Sequence, residues 1–186
     1  MFDPTIFDNW KVVLEGALYD LDRDGAAEII GREDLMDLAS LSRSFRIGAR
    51  RPGGGCRAEL RLSSGLADFA AERYDLRLTE LGAPGIRLEL RFTLPGARVR
   101  DAQTLHGALS RLWAAEAEAE ICHRVRIEVD PHAPPADAAA AGGSAYEIDV
   151  LFHEKRNEDR LDDVDALLER LLASLDALDG LETKEA

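Results

Sequence analysis

Ile86-Arg87-Leu88-Glu89-Leu90-Arg91-Phe92-Thr93-Leu94, stopped by Pro95-Gly96, alternates apolar and polar residues without a fault. A period of two is that of a half-buried β-strand, so Ile86, Leu88, Leu90, Phe92 and Leu94 share one face and Arg87, Glu89, Arg91 and Thr93 the other. Several other segments repeat this split. The chain therefore reads as an α+β fold: a predominantly antiparallel sheet built from hairpins, one face covered by two long amphipathic helices, the other face charged and arginine-rich.

The hairpin readings extend outward from that strand. Tyr74 to Leu81 pairs with it across Gly82-Ala83-Pro84-Gly85, and Ser44 to Arg51 pairs with Cys56 to Ser63 across Pro52-Gly53-Gly54-Gly55. Ile121 to Asp130 and Tyr146 to His153 alternate in the same way. The Pro, Ala and Gly run at 131–144 between them reads as a flexible hairpin loop.

Two segments read as long helices. One starts from Asp101 and runs to about Glu118, with Leu105, Ala108, Leu109, Leu112 and Trp113 on one stripe. The other covers about Asp159 to Leu178, with Leu161, Val164, Leu168, Leu171, Leu175 and Leu178 at spacings of three and four, and Gly180 as its stop. After 180 the C-terminus reads as frayed.

The first forty residues are read as a short helix over Pro4 to Asn9, then a hairpin over 11–31 turning at Asp22-Arg23-Asp24-Gly25, because Gly16 and the Val12-Val13 pair weaken a longer helix. A competing reading runs the first helix to Leu18 through Phe7, Trp10 and Leu14. Glu33 to Leu41 carries Leu35, Met36 and Leu38 at spacings suited to a short amphipathic helix, and Leu66 to Glu72 reads as a helical turn.

With 186 residues, 46% apolar and 32% charged, the chain fits one domain over 1–186 with a real core. No apolar run approaches the ~18 residues a bilayer span requires. The start, Met-Phe-Asp-Pro-Thr, lacks the basic and apolar regions of a signal segment. Cys56 and Cys122 belong to no Cys-x-x-Cys pair and are expected as free thiols in a reducing cytoplasm. Lysine is confined to Lys11, Lys155 and Lys184, a bias that fits a GC-rich, bacterial coding sequence. The net charge of −13 argues against a nucleic-acid partner, whose phosphates demand basic neutralisation. Its distribution is uneven: net +6 over residues 41–100, −7 over 1–40 and −10 over 130–186.

Three constellations invite chemistry. Asp20, Asp22 and Asp24, at alternate positions before Gly25 and followed by Glu28, have the spacing with which carboxylates converge on calcium. The twelfth position, where a calcium loop places its bidentate glutamate, is Gly31. The outward arginines Arg57, Arg61, Arg77, Arg87, Arg91, Arg124 and Arg126 offer guanidinium forks to carboxylate or phosphate, interleaved with Glu59, Glu89 and Glu128. Of these, Arg87, Arg91, Arg124 and Arg126 are the expected ligand-binding set. Glu147, Asp149 and His153 share one face by alternation and offer an acid–base pair.

The leading functional expectation is a cytosolic, non-catalytic protein-interaction or scaffold domain, acting as a homodimer or on another protein through the last helix or the charged sheet face, with no membrane partner. A second is a calcium-responsive binding protein using the acidic turn 20–28. A third is a small enzyme acting on an anionic substrate at the arginine-rich face, anchored by Arg87, Arg91 or Arg124 with His153 as acid or base. The serine nucleophile elbow, the Walker loop and the dinucleotide fingerprint are all missing from the sequence.

Overall fold

The structure, a computed structural model, describes residues 4–74, 84–95, 102–113, 115–129 and 139–181, with backbone alone for 123–129 and 139–144. Along the chain run α1 (Thr5–Arg23), β1 (Glu28–Asp37), β2 (Ser42–Arg50), β3 (Arg57–Ser64), α2 (Leu66–Tyr74), β4 (Arg87–Pro95), α3 (Ala102–Trp113), β5 (Ala117–Val129), β6 (Ala139–Phe152), a 3-10 segment (Glu158–Asp163) and α4 (Val164–Gly180). The six strands form one antiparallel sheet in the order β1-β2-β3-β4-β6-β5. The class is α+β, as the alternation predicts. Helix α3 carries the chain from β4 past the position of β6 to the edge, and the β5–β6 hairpin fills the gap.

Alternation decides what is buried. In β3 and β4 every second residue, Ala58, Leu60, Leu62, Leu88, Leu90 and Phe92 among them, lies in the core, and the residues between them are exposed or half-buried. The same cluster takes Phe7, Trp10, Leu14 and Leu18 of α1, Leu105, Leu109 and Trp113 of α3, and Leu168, Leu171, Leu175 and Leu178 of α4. At ~25 cal/mol per Å² of apolar surface, each such leucine or aromatic side chain contributes about 1.5–3 kcal/mol by burial.

The N-terminal third departs from the expected hairpin. Residues 5–23 are one helix, α1, and the acidic Asp22-Arg23-Asp24-Gly25 is its C-terminal cap. Gly25 takes the positive φ of 72°, and the Ala26 N–H reaches back 2.9 Å to the Leu21 carbonyl. Val12 and Val13, whose β-branching argues for a strand, are 68% and 40% exposed and take no part in the core. The stripe Phe7, Trp10, Leu14, Leu18 outweighs them, as the competing helical reading anticipates. At the other end Glu72 of α2 accepts the Thr5 N–H at 2.8 Å, placing a carboxylate at the positive end of α1.

The helix expected over 33–41 is instead the end of β1, an edge strand, as far as Asp37, and then the turn 38–41 into β2. Past Ile29, which packs on the core, its inward positions Arg32 and Asp34 are charged: Asp34 pairs with Lys11, Arg32 with Glu15, and the Arg32 guanidinium lies 5.4 Å from the Phe45 ring centre. Its apolar residues Leu35 and Met36 are about half exposed, so their helical spacing marks no buried stripe. Two further boundaries move. The long helix expected to Glu118 ends at Trp113, because Ala117 to Val129 pairs with β6. The loop expected over 131–144 is strand from Ala139 onward, in register with Val129. The strand expected over 74–81 lies outside the described residues but for Tyr74, which ends α2. Helix α4 runs through Gly180 rather than stopping before it.

Candidate binding face

On β3 the solvent-side residues read Arg57, Glu59, Arg61, Ser63, and on β4 they read Arg87, Glu89, Arg91, Thr93. Both strands carry one outward pattern, arginine, glutamate, arginine, hydroxyl. Antiparallel pairing sets the two copies head to tail, so Arg57 faces Thr93, Glu59 faces Arg91, Arg61 faces Glu89 and Ser63 faces Arg87. The middle of this block is a checkerboard of opposite charges, the arrangement that stabilises a solvated sheet face. Its two diagonal corners each hold an arginine opposite a hydroxyl.

Neighbouring strands pair the other outward arginines. Arg91 donates a bidentate pair of hydrogen bonds to Asp149 of β6 at 2.6 and 3.1 Å and lies 3.8 Å from Glu147, and the Asp149 carboxylate that accepts them holds its guanidinium still more firmly charged. Arg61 lies 3.7 Å from Glu89, Arg50 lies 2.7 Å from Glu28, and Arg46 pairs with Glu33. Arg57 and Arg87, both exposed, make no ion pair with any described residue. Register is the cause: Arg57 faces Thr93 on β4 and Arg50 on β2, and Arg87 faces Ser63 on β3.

Each open arginine borders a depression. The first, about 420 Å³, lies over Gly31 and Gly48, which face each other across β1 and β2, and is walled by Ile30, Arg46, Arg57, Glu59 and Thr93. A bulge between Ile29 and Gly31 makes it, because Ile30 is the extra residue and leans over Gly48, where a Cβ would sit 3.0 Å from its Cγ1. The second, about 250 Å³, is walled by Arg87, Glu89, Leu151, His153, Glu154 and Lys155 at the other end of the same strands. An exposed guanidinium beside a shallow, partly apolar hollow suits a carboxylate carried on a larger partner.

The expected ligand set separates accordingly. Arg87 stands open, whereas Arg91 is engaged by Asp149. Arg124 pairs with Ala145 along the backbone and Arg126 falls at a second bulge; the side chains of both lie outside the described ones. Of the expected acid–base group, Asp149 belongs to Arg91 and His153 is exposed next to Arg87 in the second depression. The expected calcium ligands do not converge. Asp20 and Asp22 sit two residues apart on α1, and so about 200° apart around it. Asp20 and Asp24 lie against Arg23, and Glu28 against Arg50. Among the described residues no three His, Cys, Asp or Glu side chains are grouped to hold a metal ion.

Sequence reasoning passes over the corner hydroxyls Ser63 and Thr93 and the glycine pair Gly31 and Gly48. The recurrence of Arg-x-Glu-x-Arg-x-Ser/Thr at 57–63 and 87–93 is the signal that finds the first two. It also passes over an inner charge cluster: Glu116 binds Arg156 at 2.6 Å and Arg170 at 2.9 Å, with Arg156 almost wholly buried against the Phe152 ring and Arg170 over Trp113. Burial opposes ionisation of Glu116, but the hydrogen bonds and charges of the two arginines outweigh it and hold its carboxyl below the ordinary range. Asp34 follows suit beneath Lys11 and Arg43. Both carboxylates are thereby held ionised at neutral pH.

Set beside known proteins, the chain matches no family model, no curated protein and no solved structure.

Proposed function

We propose that this chain is a non-catalytic protein-interaction module of the cytosol, and that the charged face of β3 and β4 is where a protein partner docks. One observation carries the reading. Among the described side chains of this face, Arg46, Arg50, Arg61 and Arg91 lie against carboxylates, whereas Arg57 and Arg87 are exposed, make no ion pair with a described residue, and are each set beside a hollow. Free Cys56 and Cys122 suit a reducing compartment, and among the described residues no helix is long and apolar enough to cross a membrane. The partner is another protein or a second copy of the chain. If it is a second copy, the seam is this face rather than α4, because the α4 leucines are spent on the core.

Charge reversal tests the reading. The wild-type protein used as bait should retain a discrete partner, or itself as a dimer by light scattering, and Arg57→Glu with Arg87→Glu should release it while the melting temperature stays put. Equal retention by the double variant would move the docking surface elsewhere. A second reading rests on His153 standing beside Arg87: a small enzyme acting on an anion. That reading requires turnover abolished by His153→Ala.

A further inference from the structure

We infer that the occupant of this face is an extended acidic segment of the partner, carrying two carboxylates six residues apart, one for each arginine–hydroxyl corner. The inference rests on the interaction reading above and adds the ligand's chemistry and spacing.

Three features of the block set the specification. First, charge: at the two corners a positive group makes no ion pair with any described residue, and across the β3–β4 pair each faces a hydroxyl, Thr93 for Arg57 and Ser63 for Arg87, while on its β2 side Arg57 faces a second cation, Arg50. A guanidinium fork supplemented by a hydroxyl donor binds a carboxylate. The middle rungs offer no such vacancy, since Glu59 and Glu89 stand there and would repel further acid. A matching segment is therefore acidic at two points and neutral between them.

Second, distance. Arg57 is level with Thr93, so the corners are separated by the run from Arg87 to Thr93 along β4, six residues at 3.3–3.4 Å, or roughly 20 Å. A peptide extended along the strands has the same rise. Six residues is also an even number, so both carboxylates project from the same side of such a peptide.

Third, symmetry. Two copies of one pattern paired antiparallel are related by a local twofold axis normal to the sheet, running between the Glu59–Arg91 and Arg61–Glu89 rungs. Turning the ligand end for end therefore presents it with the same corners. The face reads spacing and charge, and is indifferent to chain direction.

The test uses the full-length protein and fluorescein-labelled nine-residue peptides of serine, threonine and alanine, with glutamates at positions 2 and 8, at positions 2 and 5, or at position 2 alone. Polarisation is read at low ionic strength, because exposed charges are screened within ~10 Å at 0.1 M salt. Joining two weak contacts raises avidity through effective concentration. The 2-and-8 peptide should bind at least tenfold more tightly than the other two, and a peptide of reversed sequence should match it within about threefold. Arg57→Ala or Arg87→Ala should each reduce it to the single-glutamate level, while Arg23→Ala, on helix α1 and held by Asp20, should not.

Equal binding of the 2-and-8 and 2-and-5 peptides overturns the spacing rule. Undetectable binding of all three overturns the acidic-segment assignment. In either case the interaction reading survives if partner capture is still lost in the Arg57→Glu, Arg87→Glu variant, and falls with the inference if capture persists.

Discussion

Trp113 donates its indole N–H across 3.0 Å to the hydroxyl of Ser174, which in turn donates to the Arg170 carbonyl at 2.7 Å. The pair is fully buried and joins the end of α3 to the middle of α4. A polar handle on a core tryptophan needs such a partner, because an unpaired buried donor forfeits its hydration without return. Ser174→Ala is expected to cost about 1–3 kcal/mol, which for a chain this size lowers the melting temperature by roughly 2–10 °C. Thermal unfolding followed by circular dichroism reads it directly, and an unchanged midpoint would mean that the indole finds another acceptor.

Glu116 makes stability depend on acid. Its carboxyl titrates below the unfolded-state range because Arg170 and Arg156 favour its charged form over the opposing effect of burial. The stabilisation is thus complete above the unfolded carboxylate pKa, about 4.3, and is lost as pH falls through the lower folded value. Asp34 contributes with the same sign. Glu116→Gln should flatten the acid limb of a plot of unfolding free energy against pH. At pH 7 it should also destabilise strongly, on the order of 3–5 kcal/mol, because Arg156 keeps its buried charge without a counter-ion.

Glycines divide into those the fold needs and those it tolerates. At Gly85 a Cβ would lie 2.7 Å from the Arg156 carbonyl oxygen, whose backbone exchanges hydrogen bonds of 2.8 and 2.9 Å with Ile86. At Gly16, inside α1, a Cβ would meet nothing within 4 Å. Gly85→Ala is therefore expected to destabilise by about 1–3 kcal/mol. Gly16→Ala should stabilise by roughly 0.5–1 kcal/mol. Parallel urea titrations settle both signs.

Leu171 separates core from seam. It is fully buried among the sheet and helix side chains, so Leu171→Ala should cost about 2–5 kcal/mol and Leu171→Glu more. A Leu171→Glu protein that kept the wild-type unfolding midpoint but changed its mass in light scattering would place α4 at an interface instead.

What the sequence reveals of this fold depends on whether side-chain pattern and burial agree. Around β2, β3, β4 and the second half of β6 they do: each apolar alternate residue is buried, so periodicity alone places the strands. In β1 they part. Its inward residues Arg32 and Asp34 meet charged partners on α1, and its apolar residues Leu35 and Met36, with Leu38 in the turn that follows, are exposed. A reading that equates apolar with inward there finds a helix. In α1 the two valines and Gly16 pull toward a strand, but they lie on the solvent side, where β-branching costs only a few tenths of a kcal/mol. Alanines 117, 119, 139 and 140 favour helix by intrinsic propensity and become strand by pairing with Phe152, Val150, Val129 and Glu128 across β5 and β6. The candidate face is written in the sequence as two copies of one outward pattern. That Arg57 meets Thr93 and Arg87 meets Ser63 is a property of register, which emerges only when the two strands are set side by side.

The first and last helices of the chain lie against each other and against the same side of the sheet. A ribosome adding about 5–20 residues per second therefore delivers Phe7, Trp10, Leu14 and Leu18 well before the leucines of α4 that help to cover them. Until α4 is made, the apolar stripe of α1 lacks the leucines that complete its cover. Its burial is completed only as the last turns of α4 emerge.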